Sequence, residues 1–155
     1  MMPNKITVLL FLIPFSTIAD IRGKVVRVLD GDTIDILQNN QAYRIRLSGI
    51  DAPEKQQPFG QRSRQNLSKM IALKNVTALG DKQDRYGRLI GTIYYNNKDI
   101  NAQQITSGFA WAYRYKGKAS TPKYVHMESA ARNASIGLWS EPNPIEPWKW
   151  RRENE

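Results

Sequence analysis

Three short segments gather the residue types that can do chemistry. They are Asp30-Gly31-Asp32-Thr33, the run Arg46-Leu47-Ser48-Gly49-Ile50-Asp51-Ala52-Pro53-Glu54, and Asp84-Arg85-Tyr86-Gly87-Arg88. Carboxylates can ligate a hard cation or take a proton from water, and guanidinium groups can pair with anions. Taken singly, each segment also has a plain structural reading: a hairpin turn, a solvated loop and a charged turn leading into a strand.

Composition narrows the chemistry. The 155-residue chain has no cysteine and one histidine, His126. Disulfides, thiolate metal sites and thiol nucleophiles are excluded, and a cluster of histidine ligands is impossible within one chain. Any metal site must be built mainly from oxygen, which points to calcium or magnesium. His126 falls in an expected helix with no acid–base partner in view, so it reads as a surface residue. The formal charge of +9 favours polyanionic partners: nucleic acid, anionic membrane or acidic polysaccharide.

The first nineteen residues read as an export signal. Lys5 supplies the basic start, Ile6 to Ile18 an apolar stretch, and Thr17-Ile18-Ala19 a small-residue cleavage site. The stretch is short for a bilayer span, and its alternatives are a buried strand or an uncleaved anchor. Cleavage after Ala19 would leave one domain over residues 20–155, exported to a periplasm or the medium.

The elements that must position the three segments follow from hydrophobic patterning. Strands are expected over Ile21–Leu29, Thr33–Gln38 and Ala42–Leu47, with Asp30-Gly31 and Asn39-Asn40 as the turns between them. In the third strand Tyr43, Ile45 and Leu47 share one face and Arg44 and Arg46 the other. A proline-containing loop over Gly49–Phe59 leads to a helix over Gly60–Leu73 with Leu67, Met70 and Ile71 on one stripe. Strands at Asn75–Gly80 and Leu89–Tyr95 follow. A helix capped by Asp99 or Asn101 runs to Gly108, an extended aromatic run covers Phe109–Tyr115, and a further helix covers Pro122–Ala134. The proline-rich tail at 142–147 can be neither helix nor central strand, and should wrap the surface with Trp148 and Trp150 as anchors. Five strands with a helix between the third and fourth is the order of an OB-fold barrel. The expected class is therefore α+β, mainly β, with a five-stranded barrel and about three helices.

Read together, the three segments resemble the staphylococcal nuclease family. Its marks are a D-G-D-T hairpin, a strand arginine followed by a D-x-P-E loop, and a D-[KR]-Y-G-R turn. Here they stand, in that order, as Asp30-Gly31-Asp32-Thr33, Arg46 with Asp51-Ala52-Pro53-Glu54, and Asp84-Arg85-Tyr86-Gly87-Arg88. The similarity runs from about Val25 to Trp139 and takes in Ile136-Gly137-Leu138-Trp139.

The resemblance implies a calcium-dependent nuclease that cuts DNA and RNA with little sequence preference, leaving 3′-phosphate and 5′-hydroxyl ends. By it, Asp32 and Asp51 are carboxylate ligands to Ca2+ and the backbone carbonyl of Ala52 is a third. The family often has threonine at that position, and a backbone ligand survives the change. Glu54 looks like the general base; a water-orienting group, a ligand through water and a surface charge remain open for it. Arg46 and Arg88 look like the phosphate clamp, because guanidinium forks match the equatorial oxygens of a phosphoryl transition state. Arg46 rather than Arg44 is chosen by its spacing to Asp51. Tyr113 and Tyr115 would line a nucleotide pocket by stacking, with core packing as the alternative, and Arg85 and Tyr86 would contact the strand. Arg62 and Arg64 at the first helix start could add phosphate-binding charge or lie on a solvated face. A monomer without stable membrane association is expected. The competing function is a catalytically weak nucleic-acid-binding module of the same fold.

Overall fold

The computed structural model describes Met1 and residues 20–155. All of the expected export signal over residues 1–19 except Met1 lies outside the described residues.

Three strands open the domain: β1 (Ile21–Asp30), β2 (Thr33–Gln38) and β3 (Gln41–Leu47) form an antiparallel meander. Both tight turns are where the sequence puts them, and Asn39 and Asn40 take the left-handed conformation a two-residue hairpin requires. A two-residue strand, β4 (Ile50–Asp51), precedes helix α1 (Gly60–Ile71). Strands β5 (Asn75–Gln83) and β6 (Leu89–Tyr95) form the second hairpin, and β7 (Lys98–Asp99) extends it. Beyond them lie α2 (Ile100–Thr106), the short strands β8 (Trp111–Ala112), β9 (Arg114–Tyr115) and β10 (Lys118–Ala119), and α3 (Pro122–Asn133). A 3₁₀ turn at Gly137–Ser140 leads to a last helix, α4 (Pro147–Asn154).

The long strands lie in the order β3-β2-β1-β5-β6, and a parallel pairing of β3 with β6 closes the five into a barrel. Closure leaves these strands without free edges. The interior is filled by Ile34, Ile36, Ile45, Leu47, Ile93 and, from the helices, Leu67, Ile71 and Ile105, all with essentially no exposure. The α1 stripe is as expected, except that Met70 is only partly buried. On β2 the outward positions Thr33 and Asp35 are buried as well. Asp35 is covered by a bidentate ion pair with Arg44 on β3.

The fold differs from expectation at its C-terminal end. The tail runs irregularly to Glu146 and then forms α4, a fourth helix. Pro147 is its first residue, where a missing N–H costs nothing and the fixed φ favours helix. Trp148 packs edge-on to Trp111, ring centroids 5.5 Å apart, and Trp111 meets Trp139 at 4.5 Å. This second cluster, lying beside the barrel, pins the tail. Asp99, not Asn101, caps α2 by accepting from the Ala102 N–H. Asn101 is buried and ties Ile93, Ser48 and Gly91 together.

The β1–β2 turn is pressed against α1. A Cβ on Gly31 would stand 1.8 Å from Ser63 Oγ and 2.8 Å from the Ala52 methyl. Gly31→Ala should therefore overpack this contact at a cost of about 1–3 kcal/mol, lowering the melting temperature by several degrees in a thermal unfolding experiment. An unchanged melting temperature would show that the turn can lift away from the helix.

Candidate active site

Strand pairing brings the three segments to one end of the barrel. Thr33 faces Arg46 across β2–β3, and the Leu47 N–H donates to the Asp32 carbonyl at 2.8 Å. The parallel β3–β6 pairing sets Arg46 opposite Ile90, so the turn carrying Asp84 to Arg88 opens beside β3. Short strand β4 pairs with β8, which places Asp51 opposite Trp111. The result is a cleft of about 670 Å³ lined by residues of all three segments.

At its floor are Asp32 and Asp51, 6% and 1% exposed. Asp32 Oδ2 accepts the Ala52 N–H at 2.7 Å, and Oδ1 accepts the Thr33 hydroxyl at 3.1 Å. Arg46 lies between the two acids. Its Nη2 is 3.1 Å from Asp32 Oδ2 and 3.3 Å from Asp51 Oδ1, while Nη1 donates to the carbonyls of Leu47 and Ile50. One nitrogen thus contacts both carboxylates, and two backbone carbonyls fix its aim. Arg44, on the same strand face, is turned away to Asp35.

The acids perturb one another. Asp30 also lines the cleft, and its carboxyl is pushed up to about 7 by burial and then by the charge of Asp32. Burial works to raise Asp32 too, but Arg46, Asp30 and the Ala52 N–H outweigh it and hold Asp32 below the ordinary carboxylate range. Asp51 is raised, chiefly by burial, against the pull of Arg151. Asp30 was legible in the D-G-D spelling of the turn as a second carboxylate two residues from Asp32.

Glu54, at the cleft wall, is half-buried and points its Oε1 at Arg151, 2.7 Å away. Arg151 also donates to both oxygens of Asp51, at 3.1 and 2.9 Å. The sequence reading missed this residue. Its signal was weak: a Pro-Trp-Lys-Trp-Arg-Arg run that can start a helix, about a hundred positions from its partners. Those partners raise the Arg151 pKa, the hydrogen bond to Asp51 most of all.

The other expected residues divide. Arg88 lines the cleft with its Nε held by Asp84 at 2.6 Å and its guanidinium over the Tyr86 ring. Burial works to raise Asp84, but hydrogen bonds from Arg88 and Tyr86 hold it low. Arg85 and Tyr86 reach the cleft and hydrogen-bond each other. Tyr113 lines it as well, whereas Tyr115 is 64% exposed and lies outside it, with Lys116 over its ring. Arg62 stacks on Phe59 and Arg64 donates to the Val28 carbonyl, so neither reaches the cleft.

Residues 44–141 match the staphylococcal nuclease homologue family. The chain belongs to that family. Its relatives include the micrococcal nuclease of Shigella flexneri, 47% identical over 146 residues, covering 88% of this chain and 84% of the relative. Protein ParB of Escherichia coli is 46% identical over 145 residues, covering 88% and 82%. An uncharacterized endonuclease of Haemophilus influenzae is 41% identical over 133 residues, covering 85% and 74%. This staphylococcal nuclease homologue is accordingly an endonuclease, a hydrolase whose substrates are nucleic acids. The match ends at residue 141, so α4 and Arg151 lie beyond it.

The contrast between two neighbouring arginines is testable. Arg44→Ala uncovers the buried Asp35 and should cost some stability, but it touches neither acid of the cleft floor and should leave turnover on single-stranded DNA within about twofold of wild type. Arg46→Lys keeps the charge but loses the fork that meets two carboxylates and two carbonyls, and should lower turnover by about 100-fold or more. Equal effects of the two substitutions would contradict this geometry.

Proposed function

We propose that the cleft hydrolyses phosphodiester bonds of DNA and RNA with the help of calcium, with little sequence preference. The observation that supports this reading is that Asp32 and Asp51 lie at the floor of one cleft, on either side of a single guanidinium nitrogen. That nitrogen is 3.1 Å from Asp32 and 3.3 Å from Asp51, so a cation already sits beside both carboxylates. Among the described residues no group of three acidic or imidazole side chains forms a metal cage. The donor set that the family resemblance implies, two carboxylates with the Ala52 carbonyl and water, is all hard oxygen and would suit calcium. Bound there, calcium would supply positive charge against the oxygens of the scissile phosphate.

The chain's own residues supply the rest. Arg46 and Arg88 hold the non-bridging phosphate oxygens and take up the charge that grows on them. Glu54 lines the same cleft and accepts a proton from the attacking water. As the water oxygen bonds to phosphorus, the bond to the 5′-oxygen breaks and that oxygen takes up a proton from solvent. The products are a 3′-phosphate and a 5′-hydroxyl. Arg85, Tyr86 and Tyr113 offer guanidinium and ring faces to the flanking nucleotides, a mode of contact tolerant of base identity. The sugar 2′-hydroxyl has no part in these steps, which agrees with action on both nucleic acids.

The export signal over residues 1–19 and a monomeric protein free of the membrane belong to this reading. Among the described residues no helix is long and apolar enough to cross a membrane.

Digestion of single-stranded DNA and RNA by the protein spanning residues 20–155 tests the proposal. Cleavage is expected with calcium and absent with chelator, and Glu54→Gln should reduce turnover by about 100-fold or more. End-labelling should find 3′-phosphates. Cleavage that survives chelator, or a Glu54→Gln variant as active as wild type, would refute the assignment. Binding in chelator with no cleavage under any metal would favour a binding module. Affinity should also fall steeply as salt rises, because phosphate contacts release counterions. A flat response would argue against a polyanionic substrate.

A further inference from the structure

Glu54 needs something to aim it. Its side chain is 37% exposed, and among the described residues Arg151 is the one hydrogen-bond partner of its carboxylate. The guanidinium spans two acids at once, with Nη1 shared between Glu54 and Asp51 and Nη2 given to Asp51. A planar fork held at three points fixes the orientation of both carboxylates and offsets their mutual repulsion.

The delivery of this fork is built into the tail. Pro147 is buried at the start of α4, and Trp148 is seated against Trp111. Buried Gln57 stitches the two sides together: its Oε1 accepts the Glu54 N–H at 3.0 Å, and its Nε2 donates to the Ile145 carbonyl at 2.6 Å. The loop that carries Glu54 and the helix that carries Arg151 are therefore tied through one side chain.

We propose that Arg151 is a positioning residue of the active site, holding the Glu54 carboxylate beside Asp51 where it can meet the attacking water. The inference rests on the reading of the cleft given above. It has a signature that a structural prop lacks. Removing Arg151 frees Glu54 and slows turnover, yet it also removes a positive charge beside the acidic pair. A divalent cation should then bind at least as well as before. Activity falls while cation affinity does not.

The test uses residues 20–155 with Arg151→Gln and Arg151→Lys, each alone and Arg151→Gln also combined with Glu54→Gln. Turnover number, KM for single-stranded DNA, calcium affinity by calorimetry and melting temperature are measured. Arg151→Gln should lower kcat by about tenfold or more, with KM changed by less than about threefold. Its calcium affinity should be equal or higher. In the Glu54→Gln background it should cost much less than in the wild type, because of the two acids it holds only Asp51 remains. Arg151→Lys should recover only part of the loss, since an ammonium cannot span both acids. Wild-type turnover in Arg151→Gln would overturn the inference. So would losses that multiply in the double variant, or calcium affinity and melting temperature that fall together with turnover. The cleft reading itself fails separately, through a Glu54→Gln variant that keeps full activity.

Discussion

Everything at the open end of the barrel depends on keeping acidic groups side by side in a poorly solvated place. Asp32 and Asp51 are nearly inaccessible, and Asp30 stands beside them. Burying like charges is costly unless cations and hydrogen-bond donors compensate. Arg46 does so from inside the barrel wall and Arg151 from the tail, with the Ala52 N–H and the Thr33 hydroxyl filling remaining lone pairs. A cluster so assembled holds its charges in fixed positions, which is what the proposed calcium site requires.

The rigidity comes from the barrel. Arg46 can bridge two acids only because β3 is paired on both sides, with β2 and with β6, and because its Nη1 rests on two carbonyls. Behind the turn that carries Asp32, the buried side chain of Gln104 donates to the Gly31 carbonyl and to Ser63. Behind β8, buried Glu128 accepts the Ala112 N–H and pairs with Arg114. That pairing steadies the short strand facing Asp51. These polar contacts leave the turn and the β4–β8 pair little freedom to drift.

Much of this was legible in the sequence because it is local. The alternation of Ile34 and Ile36, the Asn39-Asn40 turn and the Leu67–Ile71 stripe each fix an element within a few residues. The three motifs mark the floor of the cleft for the same reason. What escaped was non-local. Arg151 meets Glu54 across 97 residues, and the prolines of the tail obscured the helix that follows them. Asp35 alternates as a solvent-facing residue should, yet Arg44 covers it. Tyr115 keeps the alternation of Tyr113, but the chain leaves the cleft at β9 and turns the ring to solvent. Periodicity gives the face of an element, whereas tertiary contacts decide what lies against it.

The central claim is that Asp32 and Asp51 together hold a calcium ion. Thermal unfolding with increasing calcium measures this directly, because an ion bound only to the folded state raises its stability with concentration. The wild-type melting temperature should climb with calcium, and the climb should be largely lost in Asp32→Asn and in Asp51→Asn. If both variants kept the wild-type response, the ion would bind elsewhere and this account of the cleft would be wrong.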